Sequence, residues 1–247
     1  MGIMTLLIDN SNTRTKLRFL YAEKLSDECL VLPTAQVSAE SLLNITRGRD
    51  IKHVLCASVV PRAAAEVRLA FGQSVEFVTG EGVLNFSLDY PGASTLGADR
   101  IANVAGMVQL GRVPGIAIDL GTATTFDVVV PGDAGARFIG GSIAPGLPAM
   151  ASYLANCTAQ LPMVQLVEPP HAIGRNTVEA IQSGCLYGYS GLVRGLVSSI
   201  SQEIGCKPYV IVTGGDAERL LPFLPEVDLW EPLLTFRGLQ ALAERIW

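Results

Sequence analysis

The chain has 247 residues, 49% of them apolar and 17% charged, and carries a formal net charge of −5. That composition excludes a disordered chain and supplies a large buried core, in one large domain or two of about 100–150 residues. Without any run of lysine or arginine, it also argues against a nucleic-acid groove or an anionic membrane patch.

Residues 4–9 predict a buried strand, followed by the polar turn Asn10-Ser11-Asn12-Thr13 and an alternating strand at Lys16-Leu17-Arg18-Phe19-Leu20, together a hairpin. No basic region precedes Asp9, so no leader is expected, and Leu6 breaks the myristoylation pattern. A helix is expected around 38–47, a strand over 53–60 closed by Pro61, a helix near 62–71 and a short strand at 75–79. Residues 80–98, rich in glycine and proline, predict a loop, and Asp99 to Leu110 has the apolar spacing of a helix. Arg112-Val113-Pro114-Gly115 reads as a domain boundary, dividing the chain into 1–113 and 114–247.

Beyond it, Ile116 to Gly121 predicts a second buried strand and tight turn, with a returning strand at 125–130. This repeats the first hairpin: both strands end in an aspartate, Asp9 and Asp119, before the turn. Such a repeat implies two similar halves. Thr177 to Ile204 predicts one long helix or two abutting ones, capped by Asn176. Gly184, Gly188, Gly191 and Gly195 share one face of it, a pattern that calls for tight helix or subunit packing. Finally, Tyr209 to Thr213 predicts a strand that turns at Gly214-Gly215 into a helix. No apolar stretch approaches the roughly 18 residues that span a bilayer. The five cysteines (Cys29, Cys56, Cys157, Cys185, Cys206) form no CxxC pair, as expected of reduced thiols in a cytoplasmic protein.

Phosphoryl transfer needs a phosphate cradle, a cation and a group that takes the acceptor's proton. Successive amides and hydroxyls at Asn10, Ser11, Asn12 and Thr13 can donate to phosphate oxygens, with Lys16 in reach of a terminal phosphate. Asp9 is placed to hold Mg²⁺, directly or through water. The turn from Asp119 to Thr125 offers the same chemistry again, and Gly214-Gly215 allows the close backbone approach of an adenosine-binding turn. At the helix start Gly97-Ala98-Asp99-Arg100, Asp99 can cap the helix or accept a substrate proton, and Arg100 can hold a carboxylate through two hydrogen bonds. GxxxxGK[ST] and GxGxxG are absent, and His53 and His171 read as structural.

Taken in order, Asp9-Asn10-Ser11-Asn12-Thr13…Lys16, Tyr90-Pro91-Gly92…Gly97-Ala98-Asp99-Arg100…Asn103, Ile118-Asp119-Leu120-Gly121-Thr122-Ala123-Thr124-Thr125-Phe126-Asp127, Gly140 to Gly146, Gly174 to Thr177 and Thr213-Gly214-Gly215 resemble the motifs of type III pantothenate kinases. The resemblance implies an α/β fold of two similar actin-like (ribonuclease H-like) domains, each a mixed sheet flanked by helices, with the active site in the cleft between them. It implies transfer of the ATP γ-phosphate to pantothenate, the first step of coenzyme A synthesis, in a cytoplasmic homodimer. Asp99 would be the catalytic base; Tyr90, Gly97, Ala98, Asp99, Arg100 and Thr177 would bind pantothenate. Asp9 to Thr13, Lys16, Thr122, Gly214 and Gly215 would bind ATP with Mg²⁺, and Asp119 would hold K⁺ or NH₄⁺. Where the family has glycine this chain has Ser11, expected in an allowed backbone conformation with its hydroxyl on a phosphate. Alternative readings are a non-catalytic pantothenate-kinase-like regulator and a related kinase acting on another small hydroxy acid or sugar.

Overall fold

Six of the seven residues of β1 (Met4–Asn10) are buried, as suits a strand in mid-sheet with both faces covered. In the computed structural model, which describes residues 3–133 and 135–247, β1 pairs antiparallel with β2 (Arg14–Tyr21), the hairpin expected from the sequence. β2 pairs antiparallel with β3 (Lys24–Pro33), a largely solvent-facing edge strand. After α1 (Ala39–Ile45), capped by Ser38, come β4 (Ile51–Ser58), α2 (Pro61–Phe71) and β5 (Val75–Phe77). β4 is parallel to both β1 and β5, giving the five-stranded order β3-β2-β1-β4-β5. On one face, Leu6, Ile8, Leu17 and Phe19 pack with Leu42 of α1 and with Ala63 and Val67 of α2.

The segment expected as a loop contains the two-residue β6 (Ser87–Leu88) before α3 (Ala98–Gln109). Then follow β7 (Gly115–Leu120), β8 (Ala123–Gly132), β9 (Gly135–Pro145), α4 (Leu147–Cys157), α5 (Thr177–Ile204), β10 (Tyr209–Thr213), α6 (Ala217–Leu220), β11 (Leu229–Trp230) and α7 (Leu234–Ile246). The second sheet has the order β11-β10-β7-β8-β9-β6, with β10 parallel to β7 and β11. Two sheets flanked by helices make the α/β architecture that the sequence predicts.

The chain forms two compact units. One takes the segment through Val113 together with Val129–Gly140 and Leu233–Trp247; the other takes Pro114–Val128 and Gly141–Pro232. One of the breaks falls between Val113 and Pro114, and residues 114–247 are divided between the two units. The physical reason is α7, which packs on α3. A Cβ on Gly238 would lie 2.9 Å from the Gly106 nitrogen, and the Thr235 hydroxyl donates to Asn103 Oδ1 at 2.8 Å. α5 is a single helix, ended by Gly205 at φ 72. Its four glycines are exposed and a Cβ on any of them would meet open space, so the tight packing they suggest is not made among the described residues.

Candidate active site

In the first unit, β1 delivers Asp9 to the hairpin tip, where the side chain is only 5% exposed. Asp9 and Lys16 are cross-strand partners, and Lys16 Nζ lies 3.4 Å from Asp9 Oδ2. Ser11 closes the turn through its N–H to the Arg14 carbonyl at 3.2 Å, and its hydroxyl donates to Asp9 Oδ1 at 2.9 Å. Ser11 is not among the residues at positive φ, so the side chain that replaces the family glycine sits in an allowed conformation, as expected. Its hydroxyl engages the aspartate, however, rather than standing free for a phosphate. Thr34 braces the turn from behind, donating its N–H to the Thr13 carbonyl at 3.0 Å and its hydroxyl to the Ser11 carbonyl at 2.7 Å. Asn12 and Thr13 are exposed at the tip. Asn10 is buried and its Nδ2 has no protein partner, while its Oδ1 accepts from the Thr15 hydroxyl at 3.2 Å.

Also in this unit, α3 opens on Gly97, and Asp99 is not its N-cap but lies one residue inside the helix. Asp99 Oδ1 accepts the Arg100 N–H at 2.8 Å, and a Cβ on Gly97 would come within 2.6 Å of the same oxygen. Burial pushes the Asp99 carboxyl above the usual carboxylate range; the Arg100 amide opposes this, and the charge on Asp9 adds to it. Ala98 is buried beside it, and Arg100, 8% exposed, has its guanidinium 5.7 Å from the centre of the Phe138 ring. Tyr90 meets the same ring edge-on at 5.6 Å and flanks Gly140. The structure thus brings together Tyr90, Gly97, Ala98, Asp99 and Arg100. Phe138, which organises Tyr90 and Arg100, went unnoticed in the sequence because one phenylalanine in an apolar run carries no signal of its own.

In the second unit, Asp119 is the penultimate residue of β7 and is in register with Thr213 of the parallel β10. The two turns therefore leave the same edge side by side. Gly214 holds φ 99, and a Cβ there would lie 2.5 Å from Asp119 Oδ1 and from the Leu120 carbonyl oxygen, so only glycine fits. Gly215 faces open space. Gly146 donates its N–H to the Thr122 carbonyl at 3.1 Å, and Thr122 itself is exposed. Thr177 is the first residue of α5, after the expected Asn176 cap, whose Oδ1 accepts the Glu179 N–H at 2.9 Å. Thr177 lines a cavity of about 490 Å³ with Gly174, Arg175, Leu154, Leu161 and Ala180.

Paired strand–turn–strand tips, each with an aspartate, and a glycine turn on a third strand define an actin-like phosphotransferase. Solved structures agree on the fold: a Campylobacter jejuni protein described as a Baf family transcriptional activator (TM-score 0.64, 20% identity, 98% of both chains) and component A of the Acidaminococcus fermentans (R)-2-hydroxyglutaryl-CoA dehydratase (TM-score 0.57, 16% identity, 98% of this chain and 96% of the other). A glucokinase from an Antarctic psychrotroph also shares it (TM-score 0.55, 11% identity, 99% of this chain and all of the other). The profile of the type III pantothenate kinase family matches residues 5–199. Type III pantothenate kinases of Akkermansia muciniphila (40% identity; 96% of this chain, 97% of the relative) and Acidothermus cellulolyticus (37%; 98% of each) align along nearly the whole sequence. The chain belongs to the type III pantothenate kinase family.

Proposed function

We propose that this chain transfers the γ-phosphoryl group of ATP to the primary hydroxyl of pantothenate, giving 4′-phosphopantothenate for coenzyme A synthesis. Family membership carries the reaction class, and the observation in the molecule that supports it best is Asp99, a half-buried carboxyl with raised proton affinity at a helix start. A base must accept the hydroxyl proton as the oxygen attacks phosphorus, and a carboxylate of raised pKa does this better than an ordinary one. Pantothenate also has a carboxylate, for which Arg100 is the natural partner; Tyr90, Gly97 and Ala98 are assigned to the same substrate, as is Thr177.

Asn10, Ser11, Asn12, Thr13, Lys16 and Thr122 are assigned to the phosphates, and Gly214 and Gly215 to the adenosine. Mg²⁺ is commonly held by one or two carboxylates plus substrate phosphates, with waters filling the rest. Asp9 fits that pattern, being a buried carboxylate at the phosphate tip with Lys16 and Ser11 steadying its two oxygens; the ion, when bound, neutralises charge on the phosphate oxygens. Asp119 is assigned to a monovalent cation, K⁺ or NH₄⁺; the absent side chain of Gly214 lets the backbone come close to its Oδ1 and to the Leu120 carbonyl oxygen. Among the described residues no helix is long and apolar enough to cross a membrane, and we place the protein in the cytoplasm. We further assign it a homodimer built on the exposed glycine face of α5, which is flanked by the exposed Val178 and Tyr187.

The test is ADP formation with and without pantothenate, in K⁺ or NH₄⁺ against Na⁺ at constant ionic strength, for wild type and Asp99→Asn. Pantothenate-dependent turnover that is stimulated by K⁺ or NH₄⁺ and lost in the variant is expected. Folded wild-type protein without pantothenate-dependent turnover in any of these salts would rule the assignment out.

A further inference from the structure

Tyr189 lies on the buried side of α5, opposite its glycines, and is fully enclosed. Its hydroxyl is hydrogen-bonded to that of Thr124, which is itself fully buried at the start of β8. The phenol is also bonded to the backbone of Leu147, the first residue of α4. A phenol at this depth needs a partner, and Thr124 belongs to the same turn as Asp119 and Thr122. That turn is thereby held at three points: Gly214 under Asp119, Gly146 under Thr122, and Tyr189 under Thr124. The first two are backbone approaches that the absence of a Cβ permits. The third is made by a helix whose buried face also carries the apolar side chains Leu186, Val193 and Val197. A phenylalanine would fill the same space, and a buried hydroxyl pair replaced by apolar groups of similar shape changes stability little. What the pair supplies is direction: it fixes where Thr124, and the turn that ends on it, must lie.

We propose that Tyr189 is a positioning residue for the turn from Gly121 to Thr124, and that nucleotide and monovalent-cation binding depend on the hydrogen bond it makes to Thr124. The inference rests on the function proposed above. Burial raises the phenol's pKa; the Thr124 hydrogen bond opposes this, and the Asp216 and Asp119 carboxylates reinforce it. Tyr189 therefore stays protonated through the neutral range and the bond does not titrate away.

The experiment compares wild type with Tyr189→Phe, Thr124→Val, Thr124→Ser and the Tyr189→Phe/Thr124→Val double variant. It reads MgATP affinity by calorimetry, the K⁺ dependence of turnover, the pantothenate KM and the melting temperature. Loss of one oriented hydrogen bond should weaken MgATP binding and raise the half-saturating K⁺ by about five- to tenfold in Tyr189→Phe, with the pantothenate KM unchanged. Thr124→Val should match it, the double variant should add nothing further, and Thr124→Ser should behave as wild type. If Tyr189→Phe does not fold, the Val and Ser variants at Thr124 decide the matter alone. Unchanged MgATP affinity and K⁺ response in the Phe and Val variants, whatever happens to their melting, overturns the proposal and leaves Tyr189 as core packing. Wild type that binds no MgATP overturns the kinase reading and the inference with it.

Discussion

Two influences raise the proton affinity of Asp99, burial and the neighbouring Asp9, with the Arg100 amide and guanidinium acting the other way. Its folded pKa lies above the ordinary value of 3.8, so between the two values the folded protein holds more protons than the unfolded chain. Stability from this group is therefore greatest in acid and falls as pH rises through that interval, staying low above it. Asp99→Asn should consequently melt higher than wild type at pH 7 while losing turnover, and the difference should disappear towards pH 3.8, which thermal melts across pH will check. The acid limb of wild-type kcat/KM should likewise fall above 3.8. At this scale the sequence was informative about where polar side chains stand and less so about how they are held. Asp9, Asp99, Asp119 and Gly214 stand at strand ends and a helix start, where polar residues interrupt apolar runs. The hydroxyl of Ser11 turned to Asp9 because the carboxylate two residues away is its nearest strong acceptor, a choice that spacing alone does not reveal.

Two glycine pairs on helices look alike in sequence and have opposite surroundings. Gly106 and Gly238 lie where α3 and α7 meet, and a Cβ on Gly238 would fall 2.9 Å from the Gly106 nitrogen and closer still to the Ala102 carbonyl. Gly238→Ala should therefore cost about 1–3 kcal/mol or more in chemical denaturation. Gly188 and Gly191 on α5 face open space. For a lone chain Gly188→Ala should gain about 0.5–1 kcal/mol from helix propensity. In a dimer packed on that face it should instead weaken association, which sedimentation of both proteins separates from a stability change. The elements legible from the sequence were the buried strands and the capped helices. β3 was not, because an edge strand with the solvent-facing pattern of Lys24–Pro33 lacks two-sided burial. α7 was obscured by Gly238, which reads as a helix breaker until the helix that needs its missing side chain is known.

For the whole molecule, the repeated hairpins correctly announce two halves, but the order of residues along the chain does not disclose that Leu233–Trp247 returns to the first unit. The return is a tertiary choice, made by a helix–helix contact between residues far apart in sequence. A chain ending at Pro232 would leave Ala102, Asn103 and Gly106 of α3 without their neighbours on α7. Such a truncation should lose pantothenate-dependent turnover and expose an apolar surface, detected by binding of a hydrophobic dye, even though the turns of Asp119 and Gly214 are intact.

The same return has a consequence for how the protein is made. A ribosome adding about 5–20 residues per second finishes α3 long before it reaches α7. For roughly seven to thirty seconds the newborn first half therefore lacks the helix that seals the Asp99 side of its sheet. Its hydrophobic face must be shielded by a chaperone or left exposed until α7 has been made. Synthesis interrupted anywhere before the last helix thus yields a chain whose base-bearing unit is unfinished, and unfinished products of this gene should be both inactive and readily recognised for degradation.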